Sequence, residues 1–175
     1  GEKISIEFNN FKKEYNKDLE LIFEPGKYLV SEAGYFLTKV NYVKEGTKNK
    51  FAQINSGFNH FIRPALYNSY HEIKNISNPS NKREKYSVVG YICENDTFAK
   101  DRNISKIKKG DILCFNNAGA YGFSMSSNYN SRFTPSEVCY YNNDFKLIRK
   151  SQEIKDILKN QIIISMPHMQ DPYFG

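Results

Sequence analysis

The spacing of apolar residues changes once along this chain, and that change constrains the fold more than any other feature. Between Ile4 and Tyr15 apolar side chains recur every three or four residues, which is typical of a helix with one apolar face. A short apolar segment at residues 19–23 follows and is predicted to be a strand. After Gly26 apolar and polar residues alternate, which predicts β-structure. One helix–strand unit therefore precedes a mainly β region.

Turn residues divide this β region into several strands. Residues 35–43 alternate strongly, and residues 51–54, after a Gly-Thr turn, are the expected hairpin partner. Residues 142–144, Asn-Asn-Asp, predict a tight turn. The other predicted strands are residues 71–76, 86–93, 111–115, 138–141 and 145–149. The pattern is mainly β and predicts an antiparallel β-barrel or sandwich, followed by a short helix that Ser151 caps and that ends near Lys159.

The length of 175 residues fits one domain of ordinary size, and 15% aromatic residues favour a folded chain with a substantial core. A single parallel strand is not stable alone, so we expect the strand at 19–23 to be completed by a segment upstream or by another chain. Residues 1–26 then form the end of an α/β unit and residues 27–160 a β-domain with a short terminal helix. Residues 161–175 are predicted to be an added strand or a tail.

Charge and cysteine content exclude several kinds of function. The net charge is +6, but lysines are scattered and alternate with acidic residues, so no nucleic-acid surface is predicted. Cys93, Cys114 and Cys139 are too far apart for a metal-binding pair, and an odd count favours a reducing cytoplasm over a disulfide framework. His60 and His71 have no second ligand at metal spacing. We therefore expect no metal site, and the lack of a long apolar run predicts no membrane segment.

The first candidate site is Glu24-Pro25-Gly26-Lys27, directly after the predicted strand. At the carboxyl end of such a strand, where α/β folds bind ligands, a carboxylate, backbone amides and an ammonium would be displayed together. The alternative is a Pro-Gly turn with flanking charges, and four residues alone favour that alternative.

A second candidate pairs Arg63 with Tyr67. If residues 63–67 form a helical turn, both side chains lie on one face and point together at an anion such as a carboxylate. The alternative places Arg63 in a surface ion pair and Tyr67 in the core. The spacing does not decide between them.

Two further candidates lie later in the chain. Cys93 and Glu94 end a predicted strand, where a thiol beside a carboxylate can transfer a proton, although a free cysteine is more often a small core residue. Tyr121 follows Gly119, whose freedom would let the backbone turn and leave the phenol free to meet a phosphate or a ring. The Ser-Ser-Asn at 126–128 is equally suited to capping a helix.

These motifs occur in one order, and in that order the chain resembles the C-terminal part of diaminopimelate decarboxylase. The resemblance covers roughly residues 19–158. The motifs are EPGK at 24–27, IRPALY at 62–67, CE at 93–94, and AGAY at 118–121 with MSSNYN at 125–130. The resemblance implies membership of the alanine-racemase-like enzymes that use pyridoxal 5'-phosphate, which combine a TIM-type barrel with a C-terminal β-domain. Residues 1–26 would be the last barrel helix and strand.

The resemblance implies a cofactor-facing set of residues. Residues 24–27 would lie at the cofactor phosphate, with Lys27 also near the substrate. Arg63 and Tyr67 would hold a substrate carboxylate, and Tyr121 would touch both cofactor and substrate. Lys27 stands where the family commonly has arginine, so its contact with an anion would lack the two-pronged geometry of a guanidinium.

The resemblance also implies a second set that serves the partner subunit of a homodimer. Cys93 would be the proton donor, and Glu94 would recognise the distal ammonium of the amino-acid substrate. The family's usual Cys-Glu-Ser-x-Asp is here Cys93-Glu94-Asn95-Asp96, one residue shorter, which changes the reach of this loop.

The family's Schiff-base lysine and its glycine-rich phosphate loop belong to the barrel, and no segment here resembles either. We therefore expect this chain alone not to catalyse decarboxylation of diaminopimelate to lysine. The competing hypotheses are a non-catalytic homologue that keeps the dimer surface for binding or regulation, and a related decarboxylase for another basic amino acid or a polyamine precursor.

Overall fold

The amphipathic helix predicted near the amino terminus is confirmed. In the computed structural model, which describes residues 1–47, 49–162 and 164, helix α1 spans Glu2–Tyr15. Glu2 lies in its first turn, and Lys12 and Lys13 lie in its last turn, which suits the helix dipole. No residue of α1 is buried by the described part of the chain, and Phe11 in its apolar stripe is half exposed. None of the helices in the described ranges is long and apolar enough to cross a bilayer.

The strand predicted at residues 19–23 is wrong for this structure. The segment is irregular, and Ile22 and Phe23 are 72% and 58% exposed. An extended segment becomes a strand only when neighbouring backbones satisfy its amides and carbonyls, and no described strand pairs with this one. Residues 19–23 have the apolar pattern of a strand, but they lack a described strand to pair with.

Six strands form one curved sheet in the order β3-β6-β1-β2-β4-β5. Most neighbours are antiparallel as predicted, and the hairpin of β1 and β2 is confirmed. One pair differs from the prediction, because β2 and β4 run parallel. The strands and their bounds are β1 Phe36–Glu45, β2 Lys50–Ile54, β3 Ile73–Asn75, β4 Arg83–Val89, β5 Thr97–Ser105 and β6 Ile112–Phe115.

The two edge strands of this sheet, β3 and β5, contact each other and give it a nearly closed, barrel-like shape. Asn75, at the end of β3, is 4% exposed and donates to the carbonyl of Lys106, just after β5, at 3.1 Å. Asn78 donates to the same carbonyl at 3.1 Å. The predicted mainly β fold is thus confirmed, with the barrel form preferred over the sandwich.

Aromatic rings fill the inside of the barrel. Phe115 is fully buried, and its ring lies 5.4 to 6.2 Å from those of Phe98, Phe36 and Phe61. Such tilted and edge-on pairs are favoured by the ring quadrupoles. Other fully buried core residues are Val40, Ala52, Ile54, Tyr86, Val88, Ile104 and Leu113.

The remaining elements lie outside this barrel. Strands β7 Glu137–Tyr141 and β8 Asp144–Arg149 form a separate hairpin, as predicted. Short helices are α2 Gly26–Val30, α3 Arg63–Tyr67 and α4 Ile154–Leu158. The predicted cap of α4 is wrong: a capping box of Glu153 and Asp156, not Ser151, begins the helix. Most of the tail predicted at 161–175 lies outside the described residues.

Candidate functional site

A surface cleft of about 480 Å³ lies beside α2 and contains the first group of predicted site residues. Its walls include Glu24, Pro25, Lys27 and Tyr121. The segment 24–27 is the start of α2 rather than an isolated turn, because the helix begins at Gly26 with Pro25 as its N-cap. Residues almost one hundred positions apart in the sequence therefore border one cleft.

Beside the cleft, the segment that follows α2 contacts the turn that carries Tyr121. The amide of Gly119 donates to the carbonyl of Ser31 at 3.0 Å, and Ala118 donates to Gly34 at 2.8 Å. A Cβ atom on Gly119 would lie 2.0 Å from the carbonyl oxygen of Val30, so only glycine permits this approach. The sequence analysis assigned the sharp turn to Gly119, but the positive φ of 63° belongs to Tyr121 itself.

Arg63 lies against the rings of both tyrosines that were predicted as site residues, Tyr67 and Tyr121. Its guanidinium carbon lies 5.2 Å from the ring centre of Tyr67 and 5.1 Å from that of Tyr121. Both distances are typical of cation–π contacts. Tyr67 is 58% exposed, and Arg63 forms no ion pair with the described carboxylates. The described residues therefore match the helical-turn arrangement rather than the alternative of a surface ion pair with a core tyrosine.

His71 is a buried residue whose pKa is affected by the charged side chains of this region. It is 7% exposed, its Nδ1 donates to the carbonyl of Asn116 at 2.9 Å, and its ring packs on Phe61. Burial lowers the pKa of His71, and the charges of Arg63 and Lys27 lower it further. Arg63 and Lys27 are therefore near enough to His71 for their charges to act on the same imidazole.

A second group gathers around Cys93 and Glu94. The Cys93 thiol donates to Glu94 Oε2 at 3.3 Å, and the hydroxyl of Tyr129 donates to Glu94 Oε1. These two hydrogen bonds, Tyr129 first, lower the pKa of Glu94. Cys93 is exposed, so the core alternative does not describe it, whereas Cys114 is buried.

The loop that carries Cys93 and Glu94 is anchored by a buried carboxylate. Asp96 is 5% exposed, and its two oxygens accept from the amides of Phe58 at 2.7 Å and Ile92 at 2.9 Å. Burial raises the pKa of Asp96 despite these bonds. The predicted strand at 86–93 ends at Val89 for this reason: the chain leaves β4 to wrap around the Asp96 side chain.

Sequence reasoning missed both Tyr129 and Asp96, although each lies inside a segment that it had singled out. In the sequence alone, an acidic residue three positions after Cys93 and a tyrosine after Ser-Ser-Asn do not indicate which residues they contact.

No hydrogen bond, ion pair or ring contact among the described residues joins the Arg63 group to the Glu94 group. In the described ranges no three His, Cys, Asp or Glu side chains are placed to hold a metal ion.

Comparison with known proteins identifies the class to which this fold and these two groups belong. A family model described as the C-terminal sheet domain of pyridoxal-dependent decarboxylases matches residues 27–119, more than half of the chain. The chain belongs to this family.

The relatives sharpen this assignment and confirm the resemblance found in the sequence. Diaminopimelate decarboxylase of Methanothermobacter thermautotrophicus is 43% identical over 162 residues, which are 91% of this chain and 38% of that protein. The enzyme of the same name from Zymomonas mobilis is 42% identical over 142 residues, 81% of this chain and 34% of the relative. The chain thus spans little more than a third of the relatives that it matches.

Solved structures agree. A diaminopimelate decarboxylase from M. jannaschii in complex with L-lysine superposes with a TM-score of 0.78 at 38% identity, covering 90% of this chain and 37% of that one. A lysine decarboxylase from Selenomonas ruminantium reaches a TM-score of 0.56 at 18% identity and shares the fold.

Proposed function

We propose that this chain is the C-terminal domain of a diaminopimelate decarboxylase and supplies substrate-binding and subunit-interface residues for the conversion of meso-2,6-diaminopimelate to L-lysine and carbon dioxide. The observation that carries the proposal is a cleft bordered by Lys27 and Tyr121, with the guanidinium of Arg63 over the ring of Tyr121, in a chain 43% identical to an enzyme of that name. The division into a barrel remnant at 1–26, a β-domain at 27–160 and a tail at 161–175 is part of this proposal.

The cleft beside α2 suits the phosphate and ring of pyridoxal 5'-phosphate. Glu24, Pro25, Lys27 and Tyr121 border it, and the ammonium of Lys27 supports an anion there. When bound, this cofactor accepts the electrons left by the departing carboxylate. Lys27 would hold an anion as a point charge, whereas Tyr121 would present its ring and hydroxyl.

The chain's own residues would orient the substrate and move one proton. Arg63, steadied by the rings of Tyr67 and Tyr121, would bind the carboxylate that is not lost. Glu94 would bind the distal ammonium. Cys93 would give the proton on Sγ to the substrate carbon that has lost carbon dioxide.

The separation of the two groups supports a homodimer in which each site takes the Arg63 group from one copy and the Cys93–Glu94 group from the other. The relatives' additional length would provide the barrel and the lysine that carries the cofactor. A small amino acid, rather than a nucleic acid or membrane, is the proposed ligand, and the cytoplasm the proposed location.

Exchanging Arg63 for alanine tests the function and the substrate together. We expect kcat/KM of the full-length gene product for meso-diaminopimelate to fall by about 10- to 100-fold, since a hydrogen bond to a charged group contributes about 1.5–3 kcal/mol. L-lysine is the product of this reaction, so the wild type should release little carbon dioxide from it, and Arg63→Ala should not raise that release. Carbon dioxide release from each substrate measures both effects.

Arg83→Ala is the matched control, because Arg83 is an exposed arginine on β4 outside the cleft. A wild type that releases carbon dioxide from L-lysine faster than from meso-diaminopimelate would favour a decarboxylase for another basic amino acid. A folded wild-type product that releases carbon dioxide from neither substrate would reject catalysis and favour the binding homologue.

A further inference from the structure

Tyr129 also contacts the loop that bears Cys93 and Glu94, and the roles proposed above give Tyr129 no function. Tyr129 donates its hydroxyl to Glu94 Oε1, while the thiol of Cys93 donates to Oε2. Both oxygens of this exposed carboxylate are therefore engaged. A free glutamate samples several rotamers, and ordering it costs side-chain entropy. Something in the fold must offset that cost if Glu94 is to meet a ligand in one orientation.

We propose that Tyr129 is a positioning residue that fixes the Glu94 carboxylate for recognition of a second, distal ammonium group on an amino-acid substrate. This inference rests on the proposed function, in which Glu94 binds that ammonium. In this role Tyr129 acts through Glu94, to which its hydroxyl donates.

The ring of Tyr129 is held by the same frame that holds the Glu94 loop. Its centre lies 5.2 Å from that of Phe58, at a tilt of 39°. The amide of Phe58 donates to Asp96 at 2.7 Å, and the other oxygen of Asp96 accepts from Ile92 at 2.9 Å. The contacts form a closed ring from Phe58 through Asp96 and Glu94 to Tyr129. Phenol and carboxylate therefore keep their separation if the loops shift together.

The backbone on either side of Tyr129 is also anchored. Ser127 donates its amide to the carbonyl of Asn59 at 2.8 Å. The side chain of Asn128 donates to the carbonyl of Arg132 at 2.8 Å and to Gln152 at 2.5 Å. The short 3-10 turn Tyr129–Ser131 is thus held on both sides, which is what a positioning residue requires.

The chemistry of the contact suits a cationic ligand. A phenol can only donate to an ionised carboxylate, and this donation favours the charged form of Glu94 and lowers its pKa. The hydrogen bond leaves Glu94 anionic while fixing its direction. A residue that neutralised the carboxylate, such as lysine, would compete with the ammonium instead.

Tyr129→Phe removes the hydroxyl and keeps the ring against Phe58. In the full-length gene product we expect KM for meso-diaminopimelate to rise by about three- to tenfold with kcat changed by less than about twofold, the pattern of lost uniform binding. In a Glu94→Gln background the same exchange should add nothing, because its effect passes through Glu94. Tyr140→Phe removes the hydroxyl of an exposed tyrosine on the β7–β8 hairpin and should change neither constant.

A readout independent of turnover is the titration of the Glu94 side-chain carboxyl, followed by carbon-13 NMR and assigned with Glu94→Gln. Its pKa should rise in Tyr129→Phe and stay unchanged in Tyr140→Phe. An unchanged KM, an unchanged Glu94 titration, or additive effects of the two exchanges would each overturn the inference. If the wild type fails to decarboxylate diaminopimelate, the proposed function fails, whereas the titration still decides whether Tyr129 holds Glu94.

Discussion

At the scale of single residues, two glycines make room for the carboxylate that organises the Cys93–Glu94 loop. A Cβ atom on Gly90 would lie 2.1 Å from Asp96 Oδ2 and 2.5 Å from the Ser56 carbonyl, and one on Gly57 would lie 2.9 Å from Asp96. Only the absence of a side chain lets two backbone segments close around Asp96. The positions of Glu94 and Cys93 therefore depend on two glycines, which have no reactive side chain.

Gly90→Ala is expected to lower the free energy of unfolding by about 1–3 kcal/mol, the usual cost of overpacking a filled site. Urea denaturation measures the change. Gly26→Ala provides the control, because no atom lies within 4 Å of a Cβ built there, and it should stay within about 0.5 kcal/mol of the wild type. A Gly90 variant as stable as the Gly26 variant would contradict the packing argument.

At the scale of elements, turn chemistry sets the β7–β8 hairpin. Asn142 and Asn143 both have positive φ, 50° and 57°, as a two-residue type I′ turn requires. Tyr140 and Phe145 lie opposite each other across the strands with ring centres 4.8 Å apart. The sequence predicted this hairpin because the turn and its pairing are local.

Exchanging Asn142 for valine should destabilise the hairpin by about 1–2 kcal/mol, since a β-branched residue resists the left-handed conformation. Asn142→Gly should have little effect. Amide hydrogen exchange along β7 and β8 reports the difference, with faster exchange expected only in the valine variant. Equal rates in the two variants would mean that the turn does not govern the hairpin.

At the scale of the whole molecule, polar contacts help to close the barrel. The amide of Asn75 bridges the carbonyl of Lys106 and the carboxylate of Asp111, the latter at 2.7 Å, from a position 4% exposed. These bonds tie strand β3 to the far edge of the sheet. Among the described strands, β3 and β5 meet without pairing their backbones as sheet neighbours.

Asn75→Ala is expected to cost about 1–3 kcal/mol of unfolding free energy, because it removes two hydrogen bonds made by a buried side chain. Equilibrium denaturation measures the loss. Asn81→Ala, in the exposed loop before β4, should be nearly neutral. If the two variants unfold at the same denaturant concentration, the Asn75 bridge contributes nothing to closure.

Features that depend on residues close together in the sequence were predicted better than features that depend on distant residues. Helix α1 and most strands have patterns set by neighbours within a few residues, and these predictions are confirmed, whereas the helical turn at Arg63–Tyr67 was one of two alternatives that the sequence left open. Strand β5 was missed, because its alternation is hidden by a run of charged residues. The strand predicted at 19–23 has the right composition but no described partner.

By itself, the sequence determined a mainly β chain with its turns, and it carried the motifs that identify the decarboxylase family. Only the tertiary structure decided that β2 and β4 pair in parallel, that Arg63 lies over Tyr121, and that Tyr129 reaches Glu94. Periodicity and turn chemistry act between near neighbours, whereas Glu94 and Tyr129 are 35 residues apart and meet only when the folded barrel brings their loops together.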